Sequence, residues 1–125
     1  MYYDILLDIK QRLIDLDIFK SVKIGLEKGI GSKDAPFARI VPENNRKENG
    51  YETFIFQVVY GFDVKNKDLE LLYQKYYETE ENIKKALEYK VNQCFFVETI
   101  TDEDKLMNLK SAIMRFEIRN IRVWN

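Results

Sequence analysis

The sequence predicts an α+β fold of two layers, a mainly antiparallel sheet with two helices packed on one face. Three observations predict it. Apolar residues recur at helical spacing in two stretches only, near the N-terminus and around positions 68–89. Elsewhere they alternate with polar residues, the period of a half-buried strand. No internal repeat, linker or low-complexity tract interrupts these elements, so residues 1–125 read as a single domain of ordinary size.

The elements follow in order. From Tyr2 to Leu16, the residues Tyr2, Ile5, Leu6, Ile9, Leu13 and Leu16 fall on one face of a helix. Asp8, Lys10, Gln11, Arg12 and Asp15 lie largely opposite. After Phe19 the period changes to two, and Val22, Ile24 and Leu26 mark a strand. Lys28 to Pro36 is a loop by composition. Phe37–Ala38–Arg39–Ile40–Val41–Pro42 is a short strand bracketed by prolines, which suits an edge position. Glu43 to Gly50 is the most polar stretch of the chain and predicts a long, solvated hairpin connection.

The strongest strand is Tyr51 to Asp63. Phe54, Phe56, Val58, Tyr60 and Phe62 form one wholly apolar face. Thr53, Ile55, Gln57, Val59 and Gly61 form a half-apolar second face, where a sheet open to water on one side would carry mostly charge. Asn66 is the expected N-cap of the second helix, with Asp68 and Glu70 in its first turn. That helix is expected to run to about Tyr89, burying Leu69, Leu72, Tyr73, Tyr76, Ile83 and Leu87. Cys94 to Ile100 is a strand. Thr101 to Asp104 reads as a cap opening a short turn or helix, with Leu106, Met107 and Leu109 behind it. The last strand is expected over Ala112 to Val123, with Met114, Phe116 and Ile118 facing one way and Arg115, Glu117 and Arg119 the other. The complete order is α-β-β-β-α-β-β.

The composition narrows the chemistry. There is no histidine, and the lone Cys94 sits in an apolar strand with no base to activate it, so it reads as a buried small hydrophobe. Ser21, Ser32 and Ser111 lack a histidine partner and no Gly-x-Ser-x-Gly elbow is present. Gly29–Ile30–Gly31–Ser32–Lys33 lacks the spacing of a phosphate-binding loop. The acidic pairs Asp4/Asp8 and Asp15/Asp17 and the set Glu78, Glu80 and Glu81 read as solvated helix faces rather than a coordination shell. The acidic run Glu98 to Lys105 fits no metal-dependent nuclease spacing. No catalytic, cofactor or metal site is expected, and the chain reads as a non-enzyme.

Charge narrows the partners. The net charge is −1, from 20 basic and 21 acidic residues, without the basic surplus of sequence-independent nucleic-acid binding. Tyr73, Tyr76 and Tyr77 sit among glutamates, so they suit helix-to-sheet packing better than base stacking. No apolar run reaches membrane-spanning length, and the N-terminus lacks the pattern of a signal peptide. The expected setting is therefore cytoplasmic, with no membrane partner. Eight Tyr and eight Phe exceed what a minimal core needs, so some rings are expected at a covered surface. The half-apolar face carrying Ile55 and Val59, with the alternating charges Arg115, Glu117 and Arg119, suits a protein contact.

The layout as a whole resembles a known group. An amphipathic helix leads into a strand, then Ala35–Pro36–Phe37–Ala38–Arg39–Ile40–Val41–Pro42, a polar tip, and the aromatic strand Phe54 to Asp63. Asp68–Leu69–Glu70 then opens a long helix that ends in Ala86–Leu87–Glu88, and two strands close the chain. This order and length are similar to those of the tail terminator, or tail-completion, proteins of long-tailed bacteriophages, including small minor tail proteins. The resemblance implies a structural role. Such proteins form a ring, typically a hexamer, on the finished tail tube; the ring ends tail polymerisation and presents a surface for head joining. It implies as partners further copies of the chain, a tail-tube protein and a head-completion protein, and a final place in the virion tail. On this chain it points to the Glu43–Gly50 tip, with Arg46, Lys47 and Glu48, and to the Gly29–Asp34 loop as contacts to neighbours or tube. Arg115, Glu117 and Arg119 become candidate links between subunits. A small adaptor domain with another protein partner explains the same surface.

Overall fold

In the computed structural model, residues 2–64, 68–101 and 109–122 are described. Among them the order is α1 (Tyr2–Asp15), β1 (Ser21–Ile24), a 3₁₀ turn (Ser32–Asp34), β2 (Phe37–Glu48), β3 (Tyr51–Asp63), α2 (Leu69–Leu87), β4 (Gln93–Thr101) and β5 (Leu109–Arg122). The strands form one sheet ordered β1-β2-β3-β5-β4. Only β1 and β2 run parallel; every other neighbouring pair is antiparallel. The fold is thus α+β, with the element order expected. No helix of the described residues is long and apolar enough to cross a membrane.

Both helices cover the same face. α1 lies over β1 and β2, and α2 lies over the β3, β5 and β4 side. Ile5, Leu6, Ile9 and Leu13 of α1 join Leu72, Tyr76, Ile83 and Leu87 of α2 in one core with the predicted row Phe54, Phe56, Val58, Tyr60 and Phe62. Met114, Phe116 and Ile118 of β5 and the fully buried Cys94 complete it. A relay of rings runs through this layer, Tyr2 to Phe54 at 5.0 Å, Phe56 to Phe116 at 5.3 Å and Phe96 to Phe116 at 5.7 Å between centroids. Much of the aromatic surplus is therefore spent inside the core, while Tyr3, Tyr51, Tyr77 and Tyr89 remain exposed.

Several boundaries differ from expectation, each for a local reason. Glu43 to Glu48 is strand rather than loop, and only Asn49 and Gly50 form the turn, with φ of 50° and 81°. Positive φ at both central residues is what a two-residue hairpin needs, and an Asn-Gly pair supplies it most readily. Pro42 consequently lies inside β2, beside an irregularity between Pro42 and Asn44. β1 pairs only with Phe37–Ile40, so no ladder on that side needs the missing N–H of Pro42. β1 stops at Ile24 because Gly25, at φ 93°, turns the chain away and leaves Leu26 exposed.

The second helix also starts later. Asp68 is its N-cap, its Oδ1 accepting from the Glu70 N–H at 2.8 Å. Asn66, expected as the cap, lies outside the described residues. Leu69, in the first turn, is exposed rather than buried. The helix ends at Leu87, and Tyr89 is left-handed with φ 58°. β5 begins at Leu109, three residues before the expected start, and Val123 lies outside the described residues. So does the expected turn at 102–104, with Leu106 and Met107.

Candidate interaction surface

The face of the sheet opposite the helices carries most of the residues singled out from the sequence. Alternation along each strand puts them there: Phe37, Arg39 and Val41 on β2, Ile55, Gln57, Val59 and Gly61 on β3, and Ile113, Arg115, Glu117 and Arg119 on β5. Register aligns them in rows. Ile55 stands opposite Glu117, Gln57 opposite Arg115, and Val59 opposite Ile113. On the other side of β5, Arg115 stands opposite Glu98 and Glu117 opposite Phe95.

The charges on this face engage one another. Arg115 grips Glu43 through two parallel bonds, Nη2 to Oε1 at 2.9 Å and Nε to Oε2 at 3.0 Å. Its Nη1 lies 4.0 Å from Glu98. The Arg115 guanidinium holds the Glu43 carboxyl below its ordinary range, and Glu43 in turn raises Arg115. Arg119 Nε donates to Glu117 Oε2 at 3.0 Å, and its guanidinium lies 5.3 Å from the Phe95 ring centroid. The three sequence candidates of β5 are thus ion-paired within the chain. Ile55 and Val59, on the same face, are buried, so they offer little contact area to a partner.

At the β1 end the same face is closed by the crossover from β1 to β2, residues 25–36, whose 3₁₀ turn lies against β3. Lys20 Nζ donates to the Lys33 carbonyl at 2.9 Å, and Gly31 N–H donates to Asp34 Oδ2 at 3.0 Å. The Gly29–Asp34 segment is therefore tied to the body. Beneath the crossover sits Arg39, only 1% exposed. Its guanidinium bonds both Glu27 oxygens, at 2.7 and 3.2 Å, together with the Ala38 carbonyl and the carbonyl and Oγ of Ser21. A buried cation needs its N–H groups answered, and Nε, Nη1 and Nη2 all find acceptors here, Nη2 also donating to Ser21 Oγ at 3.1 Å. The Arg39 bonds hold the Glu27 carboxyl down at about 2. Sequence reading passed over this pair, because the acid lies in an irregular loop and an arginine in an alternating strand looks like a solvent-facing residue.

Arg46 and Lys47 stand apart from this lattice, exposed on the part of β2 that extends beyond β1. Glu48 lies opposite Tyr51 at the hairpin end. The eight sequence candidates therefore separate into a paired and partly buried lattice at the sheet centre and an exposed hairpin end.

On the helix side, a cleft of about 260 Å³ lies between the start of α2 and the end of β3, lined by Pro36, Phe62, Asp63, Leu71 and Lys75 among others. Lys75 Nζ sits 5.3 Å from the Phe62 ring centroid. Among the described residues, no group of three or more His, Cys, Asp or Glu is placed to hold a metal ion. Cys94 is buried beside the sheet, where desolvation raises its thiol to about 12.

No protein-family model matches the chain, and no curated protein sequence matches it significantly.

Proposed function

We propose that this chain is a structural tail-completion or terminator protein of a long-tailed phage or prophage, a non-enzyme that caps the tail tube as a ring and permits head joining. The observation that carries the reading is the shape of the sheet. The β2–β3 hairpin extends past β1, and Asn44 to Lys47 of β2 are exposed there. A two-layer body whose sheet carries a polar strand edge past β1, with β3 and β5 paired beside it to the hairpin end, is suited to seating on a tube end while meeting a neighbouring subunit. The α-β-β-β-α-β-β order is in keeping with the resemblance.

In this reading Arg46, Lys47 and Glu48 on the hairpin touch the tube or the next copy. Arg115, Glu117 and Arg119 are ion-paired within the chain, so any link they make to a neighbour requires exchanging the Glu43 and Glu117 partners already in place. Assembly partners are further copies of the chain, the tail-tube protein and the head-completion protein, and the final location is the virion tail.

Electron microscopy of particles made with this gene deleted tests the proposal. Tails of uncontrolled length, or finished tails without heads, are expected. Uniform tails joined to heads would remove the tail reading and leave an adaptor with a different protein partner.

A further inference from the structure

The margin of the sheet lies open at β1, at β4 and along the part of β2 beyond Ile40. β1 is short, Ser21–Ile24. At β4, where Val97 and Ile100 are exposed, the Tyr89 N–H donates to the Cys94 carbonyl at 3.0 Å and the Phe96 N–H donates to Glu88 at 3.3 Å. The β4 ladder then shifts between Phe96 and Glu98, and polar side chains beyond the shift are engaged within the chain. Glu98 lies 4.0 Å from Arg115, and Thr99 Oγ1 donates to Glu80. β2 is different. The Ile40 carbonyl accepts from the Gly25 N–H at 2.8 Å, and there Gly25 turns the chain away. From Asn44 to Glu48, β2 keeps an unbroken register with β3 on one side and has no strand on the other.

The turn fixes which backbone groups face outward. A two-residue hairpin turn is closed by a pair that exchanges both backbone bonds, here Glu48 and Tyr51. Alternation then commits Arg46 to Thr53 and Asn44 to Ile55, and turns the N–H and C=O of Asn45 and Lys47 away from the sheet. The side chains from Asn44 to Lys47 are exposed. Glu52 stands opposite Lys47 on β3, yet among the described residues neither Arg46 nor Lys47 forms an ion pair. Glu43, the acid at the near end of this stretch, is already held by Arg115.

We infer that this edge receives an extended, acidic segment of a partner protein as an added strand. The Asn45 and Lys47 backbone supplies the ladder, and Arg46 and Lys47, on opposite faces of the sheet, pair with its carboxylates. Charge selects the occupant. A second copy added antiparallel through the Lys47 bonds sets Arg46 opposite Arg46 or Lys47 opposite Lys47, and like charges directly opposite are destabilising. A basic or apolar strand leaves both cations unanswered. Pro42 and the irregularity before Asn44 separate this stretch from β1, and the two cations guard it. Those features suppress indiscriminate pairing and leave an acidic strand favoured. In the tail reading, on which this step rests for naming the partner, the segment belongs to the tail-tube protein; the contact itself forms without a tail.

The test titrates the full chain with a capped peptide, acetyl-Thr-Val-Glu-Glu-Val-Thr-amide, whose neighbouring glutamates reach both faces of an added strand. Amide NMR spectra locate the contact and hydrogen exchange reads the ladder. Binding is expected to slow exchange at Asn45 and Lys47. It is expected to fail when lysines replace both glutamates, and when alternate peptide nitrogens are methylated on the edge that faces β2. Arg46→Glu/Lys47→Glu should weaken the glutamate peptide by about tenfold or more and admit the lysine peptide. Asn45→Pro removes an outward N–H while keeping the β3 ladder and both charges, and should also weaken binding. Circular dichroism checks each fold; should proline disturb it, the methylated peptides read the same bonds from the other side. A wild type that does not bind overturns the inference, as do equal binding of the glutamate and lysine peptides, binding that ignores methylation in either phase, or spectral changes centred away from β2. Exchange at Asn45 and Lys47 that slows with protein concentration alone places a second copy there and overturns it too. If the peptide binds this edge but gene deletion leaves normal tails, the contact stands and the tail reading falls. If deletion disrupts tails while wild type ignores the peptide, the reverse holds.

Discussion

Gly61 offers the sharpest test of how the bare side of the sheet is packed. It lies near the C-terminal end of β3 on that side, opposite Phe37 and Ser111. A Cβ added there would stand 2.7 Å from both Cε2 and Cζ of Phe37 and 3.2 Å from Leu109 Cδ1. Phe37 is 1% exposed and its ring faces the Arg39 guanidinium at 5.4 Å, so it has no free direction in which to retreat. Overpacking of this kind costs about 1–3 kcal/mol. Replacing glycine also restricts the unfolded chain, which returns about 0.4–1 kcal/mol. Gly61→Ala should therefore lose about 1–2 kcal/mol net, read as a lower urea midpoint at unchanged slope. Phe37→Leu removes both clashing atoms. In the double variant the alanine methyl should fill part of the space vacated, so the two losses should sum to more than the measured double loss. A Gly61→Ala protein as stable as wild type, or a double variant whose loss is the plain sum, would refute this account of the packing.

Three further outcomes follow from the geometry. Because Arg39 holds Glu27 near 2, below its ordinary 4.5, the unfolded state takes up a proton first as pH falls. The stability this pair contributes is present above about 4.5 and lost as pH falls toward 2, so the gap between wild type and Glu27→Gln in denaturant midpoint should narrow over that window; a gap constant with pH would contradict it. Gly50→Val places a β-branched residue at φ 81° and should cost about 1–2 kcal/mol, whereas Asn49→Gly should be nearly neutral, both measured by chemical denaturation. Cys94 should resist a thiol reagent in the native protein and react at the rate of unfolding, since it is fully buried and its thiol is raised to about 12; prompt labelling without unfolding would show that the strand is open.

The alternating patterns carried most of the fold. The apolar row of β3 and the split of β5 into Met114, Phe116 and Ile118 against Arg115, Glu117 and Arg119 stand in the structure as read. What misled was polarity. Glu43 to Lys47 is exposed strand, and nothing in its composition separates that from exposed loop; the only local sign was the Asn49–Gly50 pair, which marks a tight turn and leaves no room for a long one. The surface was harder to read than the core. Ile55 and Val59 looked like an open face because one sequence does not show that Glu43, distant in the chain from Arg115, lies beside it across the sheet. Arg39 and Glu27 were invisible for a related reason, since their meeting depends on where an irregular crossover lies. The apolar margin of β4 was legible as residues but not as a margin, because strand order cannot be read from alternation.

The position of β5 has a consequence for how the chain is made. β5 lies between β3 and β4, although α2 and β4 precede it in sequence. Until β5 has left the ribosome, β3 and β4 have no strand to join them, and the apolar row from Phe54 to Phe62 lacks one of its two flanking strands. Synthesis therefore yields a long interval in which an aromatic strand has one side unsatisfied, the state most prone to pairing with the wrong molecule. Folding should begin late and finish as a single event once β5 inserts. A chain with this topology should depend on chaperone cover during translation more than its modest size suggests.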